Sequence, residues 1–167
     1  MTTYAHRFPT PIGELFIAVN GEGALLRLLF AGGRGRDRLW AGLAPPIEWN
    51  ADRCAHVVQQ LNEYFRHERR SFDLKIELQG SEFQKRVWSE LLRIPFGETI
   101  SYRQLADRLG KPAATRAVGR ANATNPISLV VPCHRVIGAD GSLTGFGGGI
   151  DVKRTLLRHE GALRELF

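Results

Sequence analysis

The chain has 167 residues, of which 43% are hydrophobic, and it carries a formal net charge of +6. This length suits one domain or two small ones, and the composition is ordinary for a soluble globular protein. No apolar run approaches the roughly 20 residues that span a bilayer, and the N-terminus lacks a signal-peptide pattern. Two cysteines exclude a disulfide framework, so we expect a cytoplasmic protein with reduced thiols.

The first third of the chain is typical of a small sheet followed by a helix. Turn residues separate three predicted strands, Ala5–Phe8, Leu15–Val19 and Ala24–Phe30. Residues 31–50 predict a loop. A helix is predicted over Asp52–His67, where four apolar residues share one face: Cys54, Val58, Leu61 and Phe65. A small thiol on such a stripe is usually structural, so Cys54 is interpreted as a core residue.

The domain boundary is predicted at Gly80. It follows a further strand, Ser71–Leu78, in which apolar residues alternate. Residues 81–167 carry 13 Lys and Arg against 8 Asp and Glu, whereas residues 1–80 carry 10 against 9. A basic C-terminal half is consistent with polyanion binding and equally with scattered surface arginines. We therefore expect an N-terminal domain over 1–79 and a C-terminal domain over 80–167.

Two helix starts in the second half carry capping boxes, Ser81–Gln84 and Ser101–Gln104. The first helix is predicted to end near Ile94, before a proline. The second runs over Tyr102–Leu109 to a glycine cap, and a third over Ala113–Ala123 completes a helix-turn-helix candidate.

One face of that third helix presents Arg116 and Arg120, which are i, i+4 neighbours. Its small residues would allow close approach to a nucleic-acid groove. The alternative is an interior helix with two solvated arginines.

The stretch 125–138, NPISLVVPCHRVIG, presents the second cysteine. Its β-branched run Ile127–Val131 predicts a buried strand, and Pro132 should end regular pairing there. Cys133 would then stand at a strand end, followed by a glycine-rich loop that could lie against a flat ligand. Neighbouring side chains on an extended segment point to opposite faces, so direct contact with His134 needs a bridging water or a departure from strand geometry.

A cysteine beside a histidine can act as a nucleophile or as a metal ligand, and the motifs present in the chain favour the first. A thiol must ionise to be a strong nucleophile, and a histidine assisted by a carboxylate can take its proton. No CxxC or HxxxH spacing completes a metal site, and the local signature of papain-like hydrolases is absent.

A last helix, Val152–Glu160, is predicted with Asp151 as its cap and Gly161 at its end. Glu160 is unusual because an acid in the last turn faces the negative end of the helix dipole. Either it is a surface residue, or a cationic or proton-donating group needs it there.

These residues together resemble a known family. Pro132-Cys133-His134-Arg135-Val136, preceded by Asn125-Pro126, resembles the active-site signature of O6-alkylguanine-DNA alkyltransferases. Four further segments match the family in order: Ser101–Ala106, Arg116–Gly119, Gly145–Gly149 and Leu156–Gly161. The resemblance covers residues 80–161 closely and residues 1–79 more loosely. It implies an α/β (α+β) fold with a small N-terminal antiparallel sheet and helix, and a mainly helical C-terminal domain with a winged helix-turn-helix-like motif.

The resemblance implies direct-reversal DNA repair by a suicide enzyme. Cys133 would accept the alkyl group from O6-alkylguanine, and from O4-alkylthymine, once per molecule. His134, through a water, and Glu160 would form the proton relay for the thiol. Asn125 would brace the active-site turn, and Tyr102 would donate a proton toward the guanine ring.

The same resemblance assigns the base pocket. The carbonyls of Cys133 and Val136 would accept from the guanine amino group, and the amide of Gly147 would face the alkylated oxygen. Phe146 would pack on the base. The family often has a tyrosine at this position, so a hydroxyl is lost here.

Double-stranded DNA with alkylated bases is the implied partner, bound through the minor groove. Arg116 would enter the duplex and occupy the space left by the flipped base, with further contacts from Ala117, Gly119, Arg120 and Arg135. No cofactor and no metal are implied, and residues 1–79 lack the cysteine pair of zinc-containing relatives. A monomer that can bind DNA cooperatively is expected, with no membrane partner.

Two other functions compete with this one. Alkyltransferase-like proteins bind alkylated DNA without chemistry because they lack the cysteine, which Cys133 argues against. A helix-turn-helix transcription factor would need polar side chains at the start of its recognition helix, where residues 113–115 offer little.

Overall fold

The structure is a computed structural model that describes residues 1–32 and 40–163 of the chain. The chain folds as two compact units, Met1–Gln79 and Gly80–Phe167. Part of the stretch expected to be a loop, residues 33–39, and part of the C-terminal tail, residues 164–167, lie outside the described residues. No helix in the described part of the chain is both long and apolar enough to cross a bilayer.

The N-terminal unit contains a four-stranded sheet in the order β3-β2-β1-β4. Strands β1 (Thr3–Thr10), β2 (Gly13–Val19) and β3 (Leu25–Phe30) form an antiparallel meander, which confirms the three predicted strands. Strand β4 (Ile47–Trp49) pairs with β1 in parallel, so the sheet is mixed rather than purely antiparallel. The prediction of a loop over the whole of residues 31–50 is therefore wrong at this strand.

The strand predicted over Ser71–Leu78 does not form. Its apolar residues alternate as expected, half-buried against exposed neighbours. It pairs at a single bridge between Leu25 and Ile76, through the hydrogen bonds Leu25 N to Lys75 O (2.8 Å) and Glu77 N to Leu25 O (2.9 Å). Alternating apolar residues thus predict which side of the segment faces inward, but they do not ensure that it forms the continuous backbone hydrogen bonds of a strand.

The helix of the N-terminal unit starts with a 3-10 turn, Asp52–Cys54, and continues as α1 (Ala55–Phe65). The buried residues are Cys54, Val57, Leu61 and Tyr64, whereas the predicted Val58 and Phe65 are half-buried. Two of the four predicted positions, Cys54 and Leu61, are therefore buried as expected, and the other two are each displaced by one residue. Spacings of 3-4-3 and 4-3-4 both describe one helical face, and only the packing against the sheet selects between them.

The C-terminal unit contains helices α2 (Glu82–Leu91), α3 (Tyr102–Arg108), α4 (Thr115–Ala123) and α5 (Ile150–His159). A short parallel pair, β5 (Ile100–Ser101) with β6 (Val136–Ile137), completes it.

Both predicted capping boxes are confirmed. Ser81 Oγ accepts from Gln84 N at 3.1 Å, and Ser101 Oγ accepts from Gln104 N at 3.0 Å.

Two further helix boundaries were predicted differently. The third helix begins as a 3-10 turn, Pro112–Ala114, before it becomes α4. Asp151 is not the cap of the last helix, because α5 already begins at Ile150 after Gly149. That glycine has φ +97°, which only a residue without a side chain adopts easily.

The predicted strand Ile127–Val131 is wrong. The segment forms turns, with a bond from Val131 N to the Ile127 carbonyl at 3.0 Å, and Leu129 has φ +70°. Three of its apolar residues, Ile127, Leu129 and Val131, are nonetheless buried, as predicted for the run, whereas Val130 is half-buried. A 3-10 helix, Cys133–Arg135, follows directly.

Candidate active site

Cys133 is the first residue of the short 3-10 helix, and its side chain is 5% exposed. In a 3-10 helix three residues complete a turn, so successive side chains lie about 120° apart rather than on opposite faces. The sequence analysis gave two ways in which the neighbouring side chains of Cys133 and His134 could interact: a bridging water or a departure from strand geometry. The 3-10 helix provides the second.

Asn125 determines the course of the chain before the cysteine. Its Nδ2 donates to the Val131 carbonyl at 2.7 Å, and its Oδ1 accepts from Ile127 N at 3.0 Å. Both bonds are buried, and they replace the partners that a sheet would have supplied. This is the physical reason that an apolar, β-branched run forms a closed turn here.

A buried group of three charged or titratable side chains follows Cys133. His134 Nε2 lies 2.9 Å from Glu160 Oε2. Arg135 donates from Nε to Glu160 Oε1 at 2.8 Å and from Nη2 to Oε2 at 2.9 Å, and its Nη1 donates to the Ile94 carbonyl at 2.7 Å. The acid that was unusual at a helix end thus has a cation and an imidazole as partners.

Arg135 was predicted to contact DNA, and the structure does not support this. Its side chain is 7% exposed, and its donors point at the Glu160 carboxylate and the Ile94 carbonyl. A guanidinium held in this way cannot also reach a phosphate at the surface.

The protonation state of His134 follows from its partners. Burial alone would raise the pKa of Glu160, but hydrogen bonds and charges from His134 and Arg135 hold that pKa well below its usual range. Burial also lowers the pKa of His134, so the imidazole is neutral near pH 7. A carboxylate only accepts, so Nε2 carries the hydrogen and Nδ1 has a free lone pair. Among the described residues, Nδ1 is buried without a hydrogen-bond partner.

The two cysteines differ in their surroundings. Burial raises the pKa of Cys54 to about 11, and no opposing cause acts on it. Burial also raises the pKa of Cys133, but a hydrogen bond from Asn125, the charge of Lys153 and nearby backbone amides lower it. The net direction is upward, so the resting thiol is protonated and needs a base to react.

Lys153 is a site residue that the sequence analysis missed. It is 0% exposed, and its Nζ donates to the Val136 carbonyl at 2.6 Å and to the Thr144 carbonyl at 2.8 Å. Burial lowers its pKa to about 8, while the Cys133 thiolate would raise it. A signal was available, because Lys153 shares the i, i+3, i+4, i+7 face of α5 with Leu156, Leu157 and Glu160.

Tyr102 stands at the start of α3, and its hydroxyl donates to the Thr144 carbonyl at 3.0 Å. Burial raises its pKa. A Cβ at Gly145 would lie 3.3 Å from this hydroxyl, and Gly145 has φ +67°, so the loop approaches the phenol closely only as glycine. Phe146, beside it, is buried.

The two carbonyls expected to bind a base amino group already have protein donors. The Cys133 carbonyl accepts from the Val136 amide and from Asn122 Nδ2 at 3.3 Å. The Val136 carbonyl accepts from Lys153. Gly147, whose amide was assigned to the alkylated oxygen, is half-buried in the same loop.

Helix α4 is amphipathic as predicted. Arg116 and Arg120 are exposed, and Ala117 and Gly119 are half-buried. The opposite face packs inward, and the backbone carbonyl of Ala121 accepts a hydrogen bond from Trp88 Nε1 at 2.8 Å. The two arginines of one face are therefore exposed to solvent, whereas the other face is packed against the rest of the unit.

Metal ligands are not clustered in the described part of the chain. No group of three or more His, Cys, Asp or Glu side chains there is placed to hold an ion.

Comparison with known proteins covers both units. Residues 82–162 match the family described as 6-O-methylguanine DNA methyltransferase, DNA binding domain, and residues 3–78 match its ribonuclease-like domain.

Among curated relatives, the methylated-DNA--protein-cysteine methyltransferase of Mycobacterium tuberculosis is 48% identical over 155 residues, 90% of this chain and 88% of that protein. The protein of the same name from Methanosarcina acetivorans is 44% identical over 93% of this chain and 96% of its own. The crystal structure of Mycobacterium tuberculosis OGT in complex with DNA is similar with a TM-score of 0.85 and 43% identity, covering 95% of this chain and 93% of that one.

Proposed function

The chain belongs to the 6-O-methylguanine DNA methyltransferase family, and we propose that it repairs alkylated DNA by moving the alkyl group from O6 of guanine to the thiol of Cys133. The transfer is irreversible and occurs once per molecule. The relative crystallised with DNA supports DNA as the partner of this chain. The presence of Cys133 speaks against a sensor that only binds the lesion.

The observation that carries the proposal is the unpaired Nδ1 of His134 beside Cys133. Glu160 accepts a hydrogen bond from Nε2, so the opposite nitrogen is an acceptor, and it is buried without a partner among the described residues. A buried acceptor without a partner destabilises the fold unless something uses it. A proton taken from the neighbouring thiol, through one water, is that use.

The reaction balances with residues of this chain alone. The thiol proton passes to His134 Nδ1, and the Glu160 carboxylate stabilises the resulting imidazolium. Cys133 Sγ bonds to the alkyl carbon as that carbon's bond to O6 breaks. The electron pair goes to the guanine, which takes a proton from the Tyr102 hydroxyl, and the proton held on His134 then neutralises the Tyr102 phenolate through solvent. The product is a thioether, which has no acyl carbon for water to attack, so the protein is not regenerated.

We assign the base pocket from the roles that the family resemblance implies for the matching residues. Phe146 packs on the ring of the flipped guanine, and the Gly147 amide faces the alkylated oxygen. The Val136 carbonyl, with one acceptor site beyond its bond to Lys153, binds the amino group. The Cys133 carbonyl already has two donors, so it contributes only if one of them moves.

The alkylated oxygen lies inside the duplex, so the base must leave the stack. In this proposal helix α4 enters the minor groove, where small residues such as Ala117 and Gly119 allow close approach. Arg116 fills the space left by the base, and Arg120 neutralises a phosphate. Both arginines are exposed, as this role requires.

The test is intact-protein and peptide mass spectrometry after mixing with duplex DNA that contains one O6-methylguanine. We expect one added methyl group, mapped to Cys133, that saturates at one per protein. The matched control is Cys54→Ser, which removes the other thiol and should transfer equally well. Tight binding of the lesion with no change in mass would contradict the proposal.

A further inference from the structure

The side chain of Asn122 has no part in the mechanism above, although it lies within the site. It belongs to α4, is 2% exposed, and donates from Nδ2 to the Cys133 carbonyl at 3.3 Å. Among the described residues, its Oδ1 is buried with no hydrogen-bond partner. An apolar side chain of the same size would avoid an unsatisfied acceptor, so the amide calls for a functional explanation.

Asn122 lies on the side of α4 that packs against Tyr102. Gly119, three residues earlier on the same face, is so close that a Cβ there would lie 3.8 Å from Tyr102 Cδ1. Burial raises the pKa of Tyr102, and a hydrogen bond from the Asn122 side chain acts in the lowering direction. One carboxamide therefore adjoins both the residue that accepts the alkyl group and the residue that supplies the proton.

The nitrogen of a carboxamide carries two hydrogens and can serve two acceptors. We propose that Asn122 is a positioning residue for alkyl transfer, whose Nδ2 group joins the Cys133 carbonyl to the phenolic oxygen of Tyr102. This inference rests on the proposed function.

The step that Asn122 assists is the proton transfer to the leaving guanine. As the carbon–O6 bond breaks, the hydrogen of the Tyr102 hydroxyl moves to a ring nitrogen of the base and leaves a phenolate. A fixed N–H donor stabilises that charge more than it stabilises the neutral phenol, so it accelerates the step. The thiol proton, held on His134, later neutralises the phenolate through solvent.

The experiment compares two electrophiles that act on the same sulfur. O6-methylguanine in duplex DNA needs a proton on its leaving group. Iodoacetamide does not, because iodide leaves as a stable anion when the sulfur–carbon bond forms. We expect Asn122→Leu to slow methyl transfer from DNA about tenfold, the effect of one lost hydrogen bond in a transition state. Alkylation of Cys133 by iodoacetamide should change less than about twofold.

A double-mutant cycle with Tyr102→Phe separates this role from a structural one. Once the phenol is absent, Asn122→Leu should slow the residual transfer by less than about twofold. Equal slowing with both electrophiles, or a full tenfold effect in the Tyr102→Phe background, would mean that Asn122 only supports the turn at Cys133 and would overturn the inference.

Two further variants keep the test decisive. Asn122→Asp retains the shape but replaces the donor by an acceptor, so it should be at least as slow as Asn122→Leu while it stays folded by circular dichroism. Asn62→Leu, in the N-terminal unit, is the matched control and should transfer normally. A wild-type chain that transfers no methyl group overturns the proposed function itself. Transfer by Asn122→Leu at the wild-type rate overturns this inference alone.

Discussion

Arg135 and His134 bind one oxygen of the same buried carboxylate, at 2.9 Å each from Glu160 Oε2. A second bond from Arg135 Nε to Oε1, at 2.8 Å, fixes the plane of the carboxylate. The arginine therefore holds Glu160 ionised and aimed at the imidazole.

Replacing Arg135 by Met should destabilise the C-terminal unit. The change leaves Glu160 as an uncompensated buried charge, for which we expect a loss of about 3 kcal/mol in the free energy of unfolding. Urea unfolding measures it. The control is Arg154→Met, whose bond to Asp151 at 3.1 Å is exposed and should matter by less than about 1 kcal/mol. Equal effects of the two substitutions would contradict the assignment.

Arg120→Ala should weaken binding to undamaged duplex DNA and reduce the slope of log K against log salt by about one, since one phosphate contact is lost. Fluorescence anisotropy at several salt concentrations measures this slope. Arg7→Ala is the control, because that arginine lies in the other unit and pairs with Glu14. An unchanged slope for Arg120→Ala would remove this residue from the DNA interface.

The stability of the C-terminal unit should fall as the pH falls. The pKa values of Glu160 and His134 are both lowered in the folded state, so below their ordinary values, about 4.3 and about 6.5, the unfolded chain binds protons that the folded chain does not. Each contribution is present above the unfolded pKa and is lost as pH decreases. We expect a gradual decline below about pH 6.5 and a steeper one below about pH 4.3.

Glu160→Gln tests the steeper part of this decline. The variant should be less stable than the wild type at pH 7, because Arg135 loses its charge partner. Its stability should then vary less below about pH 4.3, since the titrating carboxyl is gone. Urea midpoints across the pH range measure both effects. Parallel curves for variant and wild type would place the acid dependence elsewhere.

Lys153→Met should make Cys133 less reactive. The Lys153 ammonium lowers the pKa of the thiol, and with its own pKa of about 8 it is largely charged at pH 7. Without it we expect iodoacetamide alkylation of Cys133 at pH 7 to slow about tenfold, the change in thiolate that one pKa unit produces. Lys85→Met, which removes an exposed lysine paired with Glu82, should react normally. An unchanged rate for Lys153→Met would show that the charge does not act on the sulfur.

Local sequence determined the features whose partners lie a few residues apart. The capping boxes at Ser81 and Ser101 each join a side chain to a residue three positions on, so the sequence alone identifies them. The three strands of the N-terminal meander follow from turn residues and apolar runs. The family resemblance rests likewise on short signatures, above all the one around Cys133, and the comparisons confirm it.

Tertiary structure decided those contacts between distant residues that no short signature in the sequence carries. Ile127–Val131 has the composition of a strand, but the carboxamide of Asn125 supplies bonds that close it into a turn. The family resemblance implied that Arg135 contacts DNA, whereas the Glu160 carboxylate, 25 residues away, binds its side chain in the interior. The helical spacing of Lys153 indicates a buried face, but the acceptors that hold its ammonium there belong to other segments, one of them 17 residues away. Hydrophobic periodicity and local hydrogen bonding can be deduced from sequence. The burial of a charge depends on which partners the fold brings to it.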